Sequence, residues 1–447
     1  MSWIFSHIKQ LGLEVAITFK NRQYTYTELH EKIEDFYRQI SSSIPNGCVV
    51  SIISDYSFES IALLFALQKN KNIIVPITTK VDKEIIDRLL VSGCNYSIEF
   101  ANNDLCVKQL SVAEKSHNLI VQLQKEGHSG LILFSSGSTG APKAMIHNFD
   151  NLVNSFEGKR GKKIVFLIFL MFDHIGGLNT MLNCIAMGTQ MVFPEDRSAD
   201  NVCQLVEKYK VNVLPASPTF LNLILITEAY SKYDLSSLRM ITYGTEPMPD
   251  SLLIKLKNIF PRVKFLQTFG TSETGISQTS SKSSSSTFIK LDDPDIEYKI
   301  VEDELWLRSK TQILGYLNFS MERFTEDGWF KTGDLVERSE DGEYIKIIGR
   351  GKELINVGGE KVLPSEIESI LFTMPNLLDC IVYGEFNPIM GQMVVAKVLF
   401  AKPIKTMEAK QAITEYCTGK MDKYKIPVKI ILMTESEFSD RFKKKRI

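Results

Sequence analysis

Residues 133–148 read LFSSGSTGAPKAMIHN, a run whose composition can hold phosphate. Small residues such as Gly137 and Gly140 let backbone N–H groups approach phosphate oxygens. The hydroxyls of Ser135, Ser136, Ser138 and Thr139 add donors, and Lys143 adds a compact positive charge suited to a polyphosphate. The spacing excludes a Walker loop, which needs Gly-Lys followed by Ser or Thr. Here Lys143 follows Pro142 and precedes Ala144. On composition alone, a solvated Ser/Gly turn fits the same run.

The elements that must position this loop follow from hydrophobic patterning. Residues 130–134 form an apolar run that feeds directly into it. Similar runs begin at Cys48, Asn72, Lys163, Gln190, Val211 and Arg239, and helical patterns such as residues 57–69 and 200–209 lie between them. Strands apolar on both faces, alternating with helices, predict parallel sheets covered on both sides. From 295 to 344 the period becomes two, as in EYKIVEDELWLRS, which predicts antiparallel, barrel-like β structure. After Arg350 the pattern predicts a small α+β unit with helices at 364–372 and 407–421 and strands at 379–383, 392–400 and 428–433. The chain is thus expected to be α/β, with a large domain over 1–349 and a small mobile one over 350–447. The serine-rich run at 277–287 (SQTSSKSSSST) reads as a mobile loop.

With 447 residues, more than one domain is expected. Lys plus Arg number 52 and Asp plus Glu 53, so charge gives no case for a nucleic-acid partner. The longest apolar run, 164–172, is far short of the roughly 20 residues a membrane span needs. The seven cysteines show no metal-type CxxC spacing, which suggests reduced thiols and a cytoplasmic protein.

The order of residues in SSGSTGAPKAMIHN closely resembles the signature loop of the adenylate-forming superfamily. That superfamily includes acyl- and aryl-CoA synthetases, adenylation domains of peptide synthetases and firefly luciferase. Further blocks follow in the family's order. QTFGTSETG at 267–275 is similar to the block in which an aromatic residue lies near adenine, a hydroxyl contacts phosphate and a glutamate holds Mg²⁺. The resemblance gives these roles to Phe269, Ser272 and Glu273, with Gly270 between them. A hard cation bridging ATP oxygens favours such a carboxylate. ITYGTEPMP at 241–249 implies Gly244 and Thr245 beside the base and the acyl pocket. GWFKTGDL implies Asp334 on the ribose hydroxyls, and IGRGKELINVGGEK implies Arg350 at the nucleotide, with a hinge near Lys352 where most members have Asp. FDHIGG at 172–177 offers His174 near the carboxylate or the acyl tunnel.

Family members end in a loop whose lysine neutralises charge during adenylation. This chain ends TESEFSDRFKKKRI. Keeping the family's lysine-to-arginine spacing aligns Lys443 and Arg446, with Phe442 in place of a glycine and Lys444 as the alternative lysine. The resemblance therefore implies an ATP- and Mg²⁺-dependent ligase. It would join a carboxylic acid to AMP, releasing pyrophosphate, then pass the acyl group to coenzyme A. Lys443, Glu273, Thr139 and His174 would carry the catalysis. Transfer to the phosphopantetheine of a carrier protein in trans, or ligand binding without turnover, are the alternatives. Pocket candidates His174, Gly177, Phe220, Tyr243, Gly244 and Gly275 are small, apolar or aromatic, which favours a fatty or aryl acid.

Overall fold

The structure is a computed structural model that describes residues 2–102, 104–111, 116–135, 142–439 and 441–444. Two sheets dominate the first part of the chain. One has the order Lys264–Gln267, Met240–Tyr243, Val213–Ala216, Val165–Leu167, Gln190–Val192, Val15–Phe19, Arg22–Thr25. All its pairings are parallel except the final hairpin. The other has the order Gly315–Tyr316, Lys143–Asn148, Gly130–Ser135, Ile73–Ile77, Val49–Ile53, Tyr96–Ala101, Asp104–Gln109. Its centre is parallel and its edges antiparallel.

Helix Phe58–Lys69 is apolar almost all round, so it must be enclosed. Ser57 caps its N-terminus by accepting from the Ser60 amide. The helix lies in one continuous core that includes Ile17 and Met191 of the first sheet and Val50, Ile74 and Leu131 of the second. The expected strands and helices of this half are present where the apolar runs placed them.

The alternating segment forms a six-stranded antiparallel sheet in the order Thr279–Ser281, Ile289–Leu291, Ile345–Arg350, Phe330–Arg338, Glu304–Ser309, Ile296–Val301. Here the structure corrects one expectation, because the serine run is not a loop throughout. Its hydroxyls serve the edge strand Lys264–Gln267. Ser281 Oγ accepts from the Gln267 amide and Ser284 Oγ from the Phe265 amide, while Thr279 Oγ1 donates to the Gln267 carbonyl. Side-chain oxygens thus satisfy backbone groups that a neighbouring strand would otherwise pair.

The last segment builds a further sheet from Glu360–Val362, Ile355–Val357, Gly391–Phe400, Leu377–Asn387 and Lys429–Leu432. Helices Pro364–Leu371 and Thr406–Cys417 cover it. Its core, from Ile355 to Ile430, draws its buried residues only from this segment.

Candidate active site

A cleft of about 800 Å³ opens at the carboxyl ends of the parallel strands of the first sheet. Pro215 and Ala216 end one strand, and Gly244 and Thr245 follow the next. Thr268 and Phe269 follow a third, and Leu170 and His174 lie beyond Val165–Leu167. Ligands of open α/β sheets bind at such ends. The opposite walls come from the second sheet (Ser135, Lys143), the antiparallel sheet (Gly333, Arg350) and the C-terminal tail (Lys443). Gly270, Ser272, Glu273 and Lys352 also line it. The expected phosphate loop starts and ends on this cleft, since Ser135 and Lys143 sit opposite each other in a hairpin. Ser136, Gly137, Ser138, Thr139 and Gly140 lie outside the described residues.

Side chains from residues 316–319 hold the base of that hairpin. Asn318 donates through Nδ2 to the Pro142 carbonyl and accepts from the Ala144 amide at Oδ1. The Lys143 ammonium lies 4.8 Å from the Phe319 ring and 5.8 Å from the Tyr316 ring. The Tyr316 hydroxyl donates to Glu273 Oε1 at 2.9 Å. Burial, followed by the negative charge of Glu273, raises the Tyr316 pKa, so it remains a donor. Oε2 of Glu273 has no hydrogen-bond partner among the described residues, which leaves a carboxylate oxygen suited to a hard cation.

Asp334 and Arg350 face each other across neighbouring strands, with Arg350 Nε donating to Asp334 Oδ1 at 3.0 Å. Burial raises the Asp334 pKa and the Arg350 charge opposes that rise. Asp334 is buried against Arg350, whereas its neighbour Gly333 and Arg350 itself form the wall. Two other wall positions are sterically fixed. A Cβ on Gly270 would lie 2.4 Å from the Gly275 carbonyl, so no larger residue fits. Thr245 is held at φ 75°, strain of about 1–3 kcal/mol for a non-glycine. Its buried Oγ1 has no hydrogen-bond partner among the described residues, as a ligand-facing hydroxyl can.

The tail brings Lys443 into the cleft. Burial, then the nearby Arg350 charge, lowers its ammonium pKa to about 8. Lys444 points elsewhere: its Nζ contacts Glu368 Oε2 at 3.0 Å and the Cys380 carbonyl at 2.8 Å. The structure thus places Lys443, not Lys444, with the other site groups. Arg446 lies outside the described residues. Phe442 adopts φ 51°, the left-handed region in which glycine is at ease. That conformation costs about 1–2 kcal/mol. The partly buried ring packs 4.9 Å from Phe169 and 5.4 Å from Phe220, and this apolar contact offsets the cost.

His174 has two roles in the geometry. It caps helix Ile175–Met187 by accepting from the Gly176 amide at Nδ1, and it lines the cleft. Burial, then Lys443 and Arg441, lowers its pKa well below the ordinary value, so the ring is neutral with its proton on Nε2. The other pocket candidates divide. Gly244 joins His174 on the wall, but Gly177, Phe220, Tyr243 and Gly275 are not among the lining residues. Gly177 is small because a Cβ would lie 2.3 Å from the Met171 carbonyl, and Phe220 belongs to the aromatic slot of Phe442.

Residues 5–317 match the family described as AMP-binding enzyme, and residues 366–441 match the AMP-binding enzyme C-terminal domain. The chain belongs to the AMP-binding enzyme family. Among curated relatives, it is 31% identical over 298 residues to 4-coumarate-CoA ligase 1 of Narcissus pseudonarcissus, covering 60% of this chain and 54% of that protein. It is 25% identical to indoleacetate–CoA ligase of Aromatoleum aromaticum over 97% of this chain and 94% of the relative. Among solved structures, an anthranilate CoA ligase in complex with anthranoyl-AMP superposes with a TM-score of 0.82 at 19% identity, covering 99% of this chain and 95% of the other. The o-succinylbenzoate CoA synthetase of Bacillus subtilis, in complex with ATP and magnesium ion, gives 0.77 at 20%, covering 100% and 98%.

In this AMP-binding enzyme, several site groups had no sequence signal. Tyr316 and Asn318 lie on and beside a two-residue strand, Gly315–Tyr316, too short for any periodicity. Arg323 also lines the cleft, its Nε donating to the Lys331 carbonyl at 3.0 Å. Asp173 sits inside the FDHIGG block, where only its contacts with Arg88 and Arg441 reveal a role.

Proposed function

We propose that this AMP-binding enzyme is an acid–thiol ligase. The observation that carries the reading is the convergence of Lys143, Arg350 and Lys443 with Glu273 on one cleft. A carboxylate oxygen attacks the α-phosphorus of ATP, the α–β phosphoanhydride bond breaks, and pyrophosphate leaves with that electron pair. All the partners are anionic, so catalysis is chiefly charge neutralisation and positioning. Magnesium, when bound at Glu273, supplies neutralisation of phosphate charge. Lys143 holds polyphosphate, Asp334 and Arg350 the ribose side, and Lys443 the α-phosphate and carboxylate. Phe269 and Ser272 are assigned to adenine and phosphate, and Thr139 to phosphate. In the second step a thiol attacks the acyl carbon, gives up its proton, and AMP departs.

Coenzyme A is the proposed acceptor, since the curated relatives are named as CoA ligases. An aryl acid is the better-supported substrate, because those names and that of the anthranilate ligase are aromatic. Residues 1–349 and 350–447 are proposed as the two moving parts, with the hinge at Lys352. Among the described residues no helix is long and apolar enough to cross a membrane. Burial holds the thiols of Cys94, Cys184 and Cys203 up at about 12, and a cytoplasmic setting is proposed.

Incubation with ATP, Mg²⁺ and a panel of acids, with either CoA or a phosphopantetheinylated carrier, tests the reading through AMP release. Lys443→Ala is expected to abolish acid-dependent pyrophosphate exchange yet leave thioester formation from pre-made acyl adenylate largely intact. Equal loss of both half-reactions would contradict the role given to Lys443.

A further inference from the structure

We propose that Phe442 and the Arg441–Asp173 ion pair form a seat that holds Lys443 in the cleft, which makes them positioning residues for the adenylate-forming step. This rests on reading Lys443 as the adenylation lysine. The described tail residues contact different parts of the molecule in turn. Arg441 lies 3.5 Å from Asp173 Oδ2 and donates to the Phe134 carbonyl at 3.2 Å, beside the start of the phosphate loop. Asp173 is almost wholly buried and shares its carboxylate with Arg88 Nη1 at 2.9 Å. Next, the Phe442 ring enters a slot between Phe169 and Phe220 and stacks on Phe438 at 5.0 Å. Its carbonyl accepts from Ser217 Oγ at 2.6 Å, the same hydroxyl that caps helix Pro218–Ile226. Lys444 then contacts Glu368. Lys443 is therefore fixed by both of its neighbours and by the residue before them.

The seat has a steric logic. A ring at a left-handed backbone position is tolerated only when packing repays the strain, and the slot is lined by Phe169 and Phe220, themselves fully buried. A residue held by apolar shape and one ion pair can leave and return as a unit. A lysine required in only one of two half-reactions needs that property. The contacts on the large part of the chain (Asp173, Phe169, Phe220, Ser217) are all released if the tail withdraws, whereas those to Glu368 are not.

Hydrogen exchange on the full chain without substrate tests the seat directly. The Lys444 amide donates to Glu246 Oε2 on the large part of the chain, so it reports docking, whereas the Phe442 amide donates to the Ser439 carbonyl within the tail and reports only the local turn. In Phe442→Gly and in Arg441→Gln the Lys444 amide should exchange about tenfold faster or more, with helix Thr406–Cys417 unchanged. Phe442→Leu, which refills the slot, should restore most of the protection. Unchanged tail exchange, or no rescue by leucine, overturns the proposal. With an accepted acid, Phe442→Gly should lower pyrophosphate exchange at least about tenfold and leave thioester formation from pre-made adenylate within about twofold. Parallel loss of both overturns it as well. If the wild type gives no acid-dependent pyrophosphate exchange, the ligase reading fails, while the exchange result on docking stands on its own.

Discussion

At the scale of single residues, Lys443 gives a prediction with a definite sign. Its pKa near 8 comes first from burial and then from Arg350. The charged form is the one that neutralises a phosphate, so kcat/KM for ATP in the adenylation half-reaction should fall as pH rises through about 8, since that ratio reports the free enzyme. A profile flat to the ordinary lysine range would contradict the burial of this ammonium. His174 allows its two jobs to be separated. Asparagine is a strong N-cap, so His174→Asn should keep thermal stability near that of the wild type. His174→Ala should lose about 1 kcal/mol by removing the cap. If the ring also positions the acid, both variants should raise the acid KM alike. An asparagine variant with unchanged acid KM would restrict His174 to capping.

At the scale of elements, the short strand Gly315–Tyr316 matters more than its length suggests. It pairs with Lys143–Asn148 and carries the hydroxyl that holds Glu273. A hydrogen bond to a charged group is worth about 1.5–3 kcal/mol, so Tyr316→Phe should weaken the apparent Mg²⁺ affinity roughly tenfold in a magnesium titration. No change there would separate Tyr316 from the metal role given to Glu273. What could be read in the sequence follows the same physics. Buried parallel strands showed themselves as apolar runs, because burial on both faces needs a distinctive composition. The serine run misled, since its hydroxyls act as hydrogen-bond partners for an edge strand and polar composition alone does not distinguish that from a loop. Phe442 looked like a departure from a glycine position. The backbone keeps a glycine-like φ there, and the compensating slot, Phe169 and Phe220, lies more than two hundred residues away.

At the scale of the whole molecule, the terminal unit meets the rest through polar contacts beside the seat of Phe442. Asn222 Nδ2 donates to the Leu378 carbonyl, Ser251 Oγ to the Ser369 carbonyl and Lys255 Nζ to the Phe372 carbonyl. Such polar interfaces permit relative motion. Arg350 is extended, at φ −114° and ψ 137°, and Gly351 opens a short 3-10 turn with nothing nearer to a new Cβ than the Gly333 carbonyl at 3.9 Å. Proline is therefore compatible with the backbone seen at 351. It should resist rotation there. Gly351→Pro is expected to retain pyrophosphate exchange and slow thioester formation about tenfold or more in single-turnover assays. Full thioester activity in that variant would move the hinge away from this turn.

The clasp between the Lys444 ammonium and Glu368 has a consequence for timing. It makes the last described residue of the chain cargo of the terminal unit, so residue 443 would have to travel with that unit if it turns. A single rigid-body movement would then strip the nucleotide pocket of its adenylating cation and clear a path for the incoming sulfur. The two chemistries would alternate as in a turnstile, never both armed at once.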